Sequence, residues 1–336
     1  MDIKSLSDEQ LAGQRLMVGF DGTVINNDVE FLIDTLKVGG IILFSQNIST
    51  PEQLRQLCSD IQEHASASGQ PPVFIAVDQE GGQVARLKKP FTEFPGNPAI
   101  KVADDAVKFA LITAKELAGV GINMNMAPVL DVADKNIDSI MAKRSFGHDP
   151  QSVSHLGTTV ISRLQHGNII AVCKHFPGIG RTTLDSHIKL PVLDTEIKDL
   201  QSFDLPPFRA AIEHNVAGIM LSHILYTKMD PKWPASLSRK IACNMLREQM
   251  GYNGLIITDD LDMGAIKEHY DIKTIIWQIL SANIDIALIC HRSPDMENAF
   301  QTLFKNIRDS LKLKTSSIES VNRILKLKSQ IKRDDR

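Results

Sequence analysis

The segment Ile169-Ile170-Ala171-Val172-Cys173 is a short apolar run with the length and β-branched content of a buried strand. It leads directly into Lys174-His175 and then into Pro177-Gly178-Ile179-Gly180, whose proline and glycines predict a mobile loop. That loop carries Asp185 and His187, and a carboxylate two residues from an imidazole can fix its tautomer and raise its basicity. A strand that continues into a candidate acid/base loop predicts an enzyme.

Apolar runs of this kind recur along the whole chain and alternate with amphipathic segments. The predicted strands are Arg15–Gly19, Gly40–Phe44, Val73–Val77, Ile122–Met126, Ile169–His175, Gly218–Ser222, Leu255–Thr258 and Ile284–Ile289. The predicted helices are Pro51–Ala65, Ala103–Ala118, Pro150–His166, Leu205–His214, Lys240–Gly251 and Lys273–Ala282, followed by a mostly helical stretch, Pro294–Ile331. Eight strands that alternate with helices predict an α/β protein with a single-domain (β/α)8 TIM barrel.

A doubly wound sheet is the competing fold for this alternating pattern. Such a sheet usually begins with a glycine-rich phosphate turn, and Gly81-Gly82 lacks that spacing. The sequence contains no Pro/Ser-rich linker and no internal repeat, so we predict one domain over residues 1–336, with a helical C-terminal tail from about residue 294.

The overall composition indicates an ordinary globular protein, with 43% hydrophobic and 23% charged residues. The net charge of −3 gives no electrostatic footprint for nucleic acid, and the basic segment 326–336 is interpreted as a solvated helix end. The four cysteines form no CxxC motif, which predicts reduced core thiols. An N-terminus without an apolar signal region, and no apolar run near 20 residues, predict a cytoplasmic protein without membrane contact. We expect a monomer.

Polar side chains follow several of the predicted strands where each strand ends. Asp78, Lys174, His175, His223 and the pair Asp259-Asp260 all occupy such positions. Because the carboxyl ends of barrel strands form one rim, these residues should lie at a common site. Only one aspartate can lead directly off the seventh strand into the barrel mouth, and we expect this to be Asp259.

The sequence leaves the roles of two arginines open between ligand binding and a structural contact. Asp78 and Arg86 flank a Gly-Gly turn and could either bind a pair of sugar hydroxyls or brace the loop internally. Arg144 could bind a ligand or cap the adjacent helix. A metal site at the histidines is disfavoured because no HxH or HExxH spacing occurs, so we predict no metal and no cofactor.

Taken together, these stretches resemble the glycoside hydrolase family 3 β-N-acetylglucosaminidases of bacterial cell-wall recycling, over about Gly13 to Ala282. The stretches that carry the resemblance are Val38–Phe44, Asp78–Arg86, Ala127–Val132, Arg144–Gly147, Lys174–His187, Pro234–Ser238 and Thr258–Leu261. The resemblance implies a retaining exo-enzyme that acts on N-acetylglucosaminides such as muropeptides.

The resemblance also implies roles for individual residues. Asp259 would be the nucleophile that forms a covalent glycosyl-enzyme, and His187, oriented by Asp185, would be the acid/base. The positions that would grip the N-acetylglucosamine are Asp78, Arg86, Arg144, Lys174 and His175.

The sequence departs from the family pattern in the catalytic loop, where a histidine and a small or acidic residue are replaced by Ile179 and Arg181. We therefore expect Arg181 to meet an anionic leaving group. Three other functions stay open: a broader β-glycosidase or a glycoside phosphorylase, a non-catalytic sugar sensor, and a metal-dependent hydrolase.

Overall fold

A computed structural model describes residues 3–184, 186 and 189–331 of the chain. Eight parallel strands form a closed barrel, which confirms the predicted (β/α)8 architecture. The barrel strands are β1 (Leu16–Val18), β2 (Gly40–Leu43), β3 (Phe74–Val77), β4 (Met124–Asn125), β5 (Ile170–Phe176), β6 (Gly218–Leu221), β7 (Leu255–Asp260) and β8 (Ile286–Ile289). The barrel closes because β1 pairs with both β8 and β2. Each of the eight predicted strands is one of these.

Helices surround the barrel and connect its strands. The α-helices are Asp8–Gly13, Asn27–Asp34, Pro51–Ala67, Ala103–Gly119, Pro150–His166, Ile197–Asp199, Pro206–Glu213, Gly264–Lys267, Ile272–Ser281, Pro294–Asp309 and Leu311–Lys328. Two further segments, Leu200–Asp204 and Lys240–Gln249, have π-helical hydrogen bonding. The predicted C-terminal stretch is two helices, because Ser310 breaks the first and caps the second by accepting from the N–H of Leu313.

The barrel interior is a packed core of side chains that point inward from every strand or the residue just after it, joined by Ile324 of the last helix. Its buried members are Met17, Ile42, Phe74, Ala76, Met124, Met126, Ile170, Val172, Met220, Leu255, Ile257, Ile286, Leu288, Cys290 and Ile324. The alternate strand residues pack outward against the helices, as the two-residue period of a strand requires. The interior is therefore filled, and polar chemistry is left to the ends of the barrel.

The last helix closes the lower end of the barrel, and the interpretation of residues 326–336 as a solvated helix end is wrong for Lys328, whereas Lys326, Ser329 and Gln330 are exposed. Lys328 is only 2% exposed; its Nζ donates to Gln14 Oε1 at 2.6 Å and lies 5.0 Å from the centre of the Phe74 ring. Burial holds the pKa of Lys328 well below its usual value. Residues 332–336 lie outside the described part.

Within the described residues, no helix is long and apolar enough to span a bilayer. Cys58, Cys173, Cys243 and Cys290 are all buried free thiols, as the scattered cysteine positions predict.

Candidate functional site

The carboxyl ends of β3 and β5 bring three charged side chains into direct contact. The ammonium of Lys174 lies 2.6 Å from Asp78 Oδ1 and 2.7 Å from Glu80 Oε1. Lys174 and Glu80 are almost fully buried, while the Asp78 side chain is 16% exposed. A buried lysine between two carboxylates is a fixed electrostatic element at the mouth of the barrel.

Two arginines extend this cluster on either side. Arg144 binds the Glu80 carboxylate through two hydrogen bonds, Nη2 to Oε1 at 2.7 Å and Nε to Oε2 at 3.0 Å. Arg86 Nη2 lies 3.4 Å from Asp78 Oδ2. The internal Asp78–Arg86 brace therefore exists. Arg144 does not cap the following helix, which Asp149 caps instead.

The five groups alternate in sign, and this alternation holds their ionised forms. Burial by itself would raise the pKa of Asp78, but the charges of Lys174 and Arg86 outweigh it and hold the pKa below its usual value. The pKa of Glu80 is lowered against burial by Lys174 and Arg144 in the same way. Burial opposes the charge on Lys174 too, yet the two carboxylates raise its pKa. The cluster therefore stays charged at neutral pH.

His175 is oriented by a carboxylate that no solvent reaches. Its Nδ1 lies 2.7 Å from Oδ2 of Asp131, which is fully buried. The other oxygen of Asp131 accepts a hydrogen bond from the backbone N–H of Ile179 at 2.8 Å. Asp131 thus fixes both the imidazole and the first residues of the loop that follows β5.

Asp259 lies at the end of β7 and faces the cationic side of this rim. Burial would raise its pKa, but His223, His175 and then Lys174 hold it below the usual value. The neighbouring Asp260 is engaged differently. Its Oδ1 accepts hydrogen bonds from two backbone N–H groups at 3.0 Å each, and burial raises its pKa to about 6. Asp259 is therefore the carboxylate of the pair with the lowered pKa, and the expected role of Asp259 in the barrel mouth stays a prediction.

His223 is held in place by the loop after β6. Its Nδ1 lies 2.7 Å from Ser236 Oγ, and its Nε2 lies 2.8 Å from the carbonyl oxygen of Asp260. Ser238, two residues further along, donates from Oγ to Asp230 at 2.6 Å. The segment 234–238 therefore supports the imidazole beside Asp259.

A second set of side chains at the mouth has ligand atoms close enough to hold a cation. Ligand atoms of Asp260, Asp262 and His291 lie within 4.8 Å of one another. Their oxygens already have partners: Asp262 Oδ2 accepts from the backbone N–H of His291, and Lys267 Nζ lies 3.4 Å from Asp262 Oδ1. These contacts account for the cluster without an ion.

The first residues of the loop after β5, from Pro177 to Gly180, are buried and tightly packed. Gly178 has φ +126°, and a Cβ there would lie 2.8 Å from Cβ of Asp204. A Cβ on Gly180 would overlap the carbonyl oxygen of Val132 at 1.8 Å. Ile179, the residue in place of the family histidine, is 4% exposed and belongs to the core. The glycines assigned to mobility thus have packing reasons to be glycine.

The predicted acid/base residues, Asp185 and His187, lie outside the described residues. Ser186 between them is described and is buried. Its carbonyl oxygen accepts a hydrogen bond from the N–H of Ala265 at 3.2 Å, in the helix that follows β7. Ser186, between the two predicted acid/base residues, is thereby hydrogen-bonded to the segment that follows Asp259.

Arg181 does not have the environment expected for a residue that meets a leaving group. Its Nε donates to Asp204 Oδ2 at 2.8 Å, its guanidinium lies 4.5 Å from the centre of the Phe203 ring, and Nη1 is 3.8 Å from Asp134. The side chain is 24% exposed. The expected anionic partner is supplied by the protein itself.

The sequence analysis did not identify several residues of the site. The sequence patterns that could have identified them differ from one residue to the next. Glu80 lies two residues after Asp78, and the alternation of an extended chain would have placed both on one side. Asp131 lies in an irregular segment and Ser236 in a single 3₁₀ turn, Ala235–Leu237, both too short for a periodicity to assign a direction. Asp204 lies in a π-helical turn far along the chain, so only the tertiary structure pairs it with Arg181.

Comparison with known proteins gives consistent matches. Residues 8–327 match the glycosyl hydrolase family 3 N terminal domain. A beta-hexosaminidase of Nitrosomonas eutropha is 35% identical over 296 residues, which are 85% of this chain and 83% of the relative. Beta-hexosaminidase A of Pseudoalteromonas piscicida is 33% identical over 97% of this chain and 62% of its own length.

Solved structures agree with these sequence matches. A family 3 beta-N-acetylglucosaminidase from Paenibacillus sp. FPU-7 superposes with a TM-score of 0.93 at 36% identity and covers 97% of this chain. The chain spans 63% of the length of that protein. A beta-N-acetylhexosaminidase from Beutenbergia cavernae superposes with a TM-score of 0.89 at 27% identity, over 97% of this chain and 99% of its own.

Proposed function

Because the chain belongs to glycoside hydrolase family 3 and is an enzyme of that family, we propose that it is a retaining exo-β-N-acetylglucosaminidase. The observation that carries this proposal is the position of Asp259. It lies at the carboxyl end of β7, and its pKa is held low by the imidazoles and the ammonium around it. An ionised, oriented carboxylate facing a polar cluster is what a glycosidase nucleophile requires.

In the first half of the proposed reaction, an Asp259 oxygen forms a bond to the anomeric carbon. The bond between that carbon and the aglycone oxygen breaks, and His187 gives its proton to the departing oxygen. In the second half, His187 takes a proton from water, the water oxygen bonds to the anomeric carbon, and the carboxylate leaves. Two displacements at one carbon retain the configuration. Asp185 orients His187, and neither a metal nor a cofactor takes part.

The charged cluster supplies the proposed sugar contacts. Asp78 and the partly exposed Arg86 present an oxygen acceptor and nitrogen donors at the rim, which suit neighbouring hydroxyls. Arg144, Lys174 and His175 are each held by a buried carboxylate, so their positions are set before substrate arrives. Preorganised groups of this kind lose little entropy on binding.

The finer features of the proposal concern substrate and setting. The substrates are terminal β-linked N-acetylglucosaminides, with muropeptides as the physiological class. The four buried free thiols are compatible with the reducing cytoplasm, where we place the reaction. A monomer is proposed.

Release of nitrophenol from 4-nitrophenyl N-acetyl-β-D-glucosaminide tests this function. We expect turnover by the wild type and a loss of at least about 10³-fold in Asp259→Ala, since the covalent intermediate cannot form. Asp309→Ala, a change in an exposed aspartate of an outer helix, is the control and should keep full activity.

Three outcomes would contradict the proposal. A folded wild type without turnover, in buffer or in phosphate, would favour a sugar sensor or another glycoside. Turnover that requires phosphate and releases a sugar phosphate would favour a phosphorylase. Loss of activity on treatment with a chelator would favour a metal-dependent hydrolase.

A further inference from the structure

We propose that Arg181 and Asp204 form a latch that positions the acid/base loop, so that Arg181 is a positioning residue for proton transfer and not a substrate ligand. The inference rests on the proposed function, because it concerns the role of His187. It explains why a cation stands four residues before Asp185 in this chain.

The latch consists of a buried ion pair with an aromatic support. Asp204 is fully buried, and Arg181 Nε donates to its Oδ2 at 2.8 Å. Phe203, the residue before Asp204, lies under the guanidinium with its ring centre 4.5 Å away. Both partners come from the π-helical turn Leu200–Asp204, which therefore holds the arginine by charge and by stacking at once.

Asp204 touches the loop a second time at its beginning. Its Cβ packs against the backbone of Gly178, where an added Cβ would approach it to 2.8 Å. Tyr226 donates from its hydroxyl to the carbonyl oxygen of Gly178 at 2.7 Å. The N–H of Asp134 donates to the carbonyl of Gly180 at 3.0 Å. The stretch from Gly178 to Arg181 is therefore fixed on both faces.

The same loop is attached again at Ser186, whose carbonyl accepts from Ala265. Between the two attachments, Ile140 N–H donates to the carbonyl of Thr182, and the N–H of Leu184 donates to Thr182 Oγ1 at 3.0 Å. The latch thus sets the entry of a short connection that carries the predicted dyad. Removing it would free the upstream end while the Ser186 attachment persists.

Because Asp204 is buried, its carboxylate depends on Arg181 to stay ionised. Burial raises the pKa of Asp204 to about 7 even though Arg181 opposes this shift. A lone carboxylate in that place would take up a proton or draw in water, and either change would alter the packing against Gly178. An arginine committed in this way has little freedom to reorganise around a leaving group.

The test separates proton transfer from other losses by varying the leaving group. General acid assistance is needed to release a sugar alcohol and hardly at all to release dinitrophenolate. For Arg181→Ala we expect kcat/KM on N,N′-diacetylchitobiose to fall by about 10- to 100-fold, a part of the 10²–10⁴ that acid/base catalysis contributes. On 2,4-dinitrophenyl N-acetyl-β-D-glucosaminide kcat/KM should change by less than about twofold. Hydrolysis of the glycosyl-enzyme still needs a base, so kcat on that substrate should fall in the variant. Azide, a nucleophile that needs no base, should restore this kcat.

Matched variants complete the design. Asp204→Asn should show the same split between the two substrates as Arg181→Ala. Arg181→Lys keeps the charge but loses the planar stack, so its kcat/KM on the disaccharide should lie between those of Arg181→Ala and wild type. Arg308→Ala is the control, since Arg308 also pairs through Nε with an aspartate at 2.8 Å and covers a phenylalanine, on an outer helix. It should leave both substrates unaffected.

Three results would overturn the latch. Equal losses on both substrates without azide rescue would show a general structural effect, and unchanged chitobiose kinetics would show no role. A raised KM for the disaccharide with unchanged kcat would make Arg181 a substrate ligand. An inactive wild type would instead refute the proposed function, and this inference with it.

Discussion

At the scale of single residues, Lys174 decides how the site is built. It lies between Asp78 and Glu80, and each carboxylate carries an arginine on its other side. Desolvating any one of these charges alone would be costly, so the five are stable only as a set. The five charged groups therefore contribute more to the positions of the site's side chains than to the stability of the fold. They hold hydrogen-bond donors and acceptors in place for a polar ligand.

Glu80→Gln tests this interdependence. It leaves Lys174 and Arg144 with one charged partner fewer in a buried place, and breaking such a pair typically costs about 3–5 kcal/mol. We expect a loss of that order in the free energy of unfolding, measured by urea denaturation, together with a raised KM. The exposed Glu319→Gln should stay within about 0.5 kcal/mol of wild type. A Glu80 variant as stable as this control would show that the pairings contribute little.

The residue scale also shows how far sequence reasoning extends. Asp78, Lys174 and Asp259 follow apolar strands, and the barrel rule brings such positions to one rim. Asp131 was missed because its direction depends on irregular backbone after the strand, whereas Glu80 lies in the short extended segment Gln79–Gly81 and could have been found by alternation from Asp78. The pairing of Arg181 with Asp204 was not foreseen because Asp204 lies in a distant π-helical turn, and the expected contact of Arg181 with a leaving group stays a prediction. The roles of Asp185 and His187 stay predictions.

At the scale of elements, the eight strands were predictable because each is a short apolar run between polar turns. Their ends were less so: β4 is only Met124–Asn125, within a predicted run of five. The helix Asn27–Asp34 was missed because it is short, although Asn26 caps it by accepting from the N–H of Val29. Hydrogen bonds to side chains set these boundaries, and periodicity does not report them.

The final helix, Leu311–Lys328, is attached to the barrel in part through Asp285. This fully buried carboxylate, just before β8, accepts from Arg323 and Ser320 of the helix and from Arg247 of Lys240–Gln249. Although burial opposes ionisation, Arg247 and Arg323 hold the pKa of Asp285 below its usual value. The helix is therefore docked by charge as well as by apolar packing.

Arg323→Ala should loosen this helix selectively. It removes the charged interaction with the Asp285 carboxylate, which contributes about 1.5–3 kcal/mol in total. We expect amide hydrogen exchange to accelerate by about 10- to 100-fold across residues 311–328, while the barrel strands change less. Lys312→Ala, at an exposed position of the same helix, is the comparison. Uniform acceleration across the whole chain would show that the helix does not open separately.

At the scale of the whole molecule, the buried carboxyls predict where in pH the protein is most stable. The pKa values of Asp78, Glu80, Asp259 and Asp285 are depressed, so their contribution is present above the unfolded value of about 4 and is lost as pH falls through the folded values. The raised pKa values of Asp260, about 6, and Asp204, about 7, act in the opposite direction. Their contribution is present at low pH and is lost as pH rises through those values.

The two groups of carboxyls together make their largest contribution to stability between about pH 4 and 6, on the acid side of neutrality. The depressed pKa of the buried Lys328 opposes the alkaline fall, because the unfolded state binds a proton that the folded state has released. Urea unfolding at intervals from pH 3 to 8 should show a steep fall below about pH 4 and a gentler fall toward pH 8. Because the pairs are buried, adding 0.5 M NaCl should change the profile little, whereas exposed pairs would be screened. Asp204→Asn removes one of the two raised groups and should flatten the fall on the alkaline side. A maximum above pH 7 would mean that the buried carboxyls do not set the pH dependence of folding.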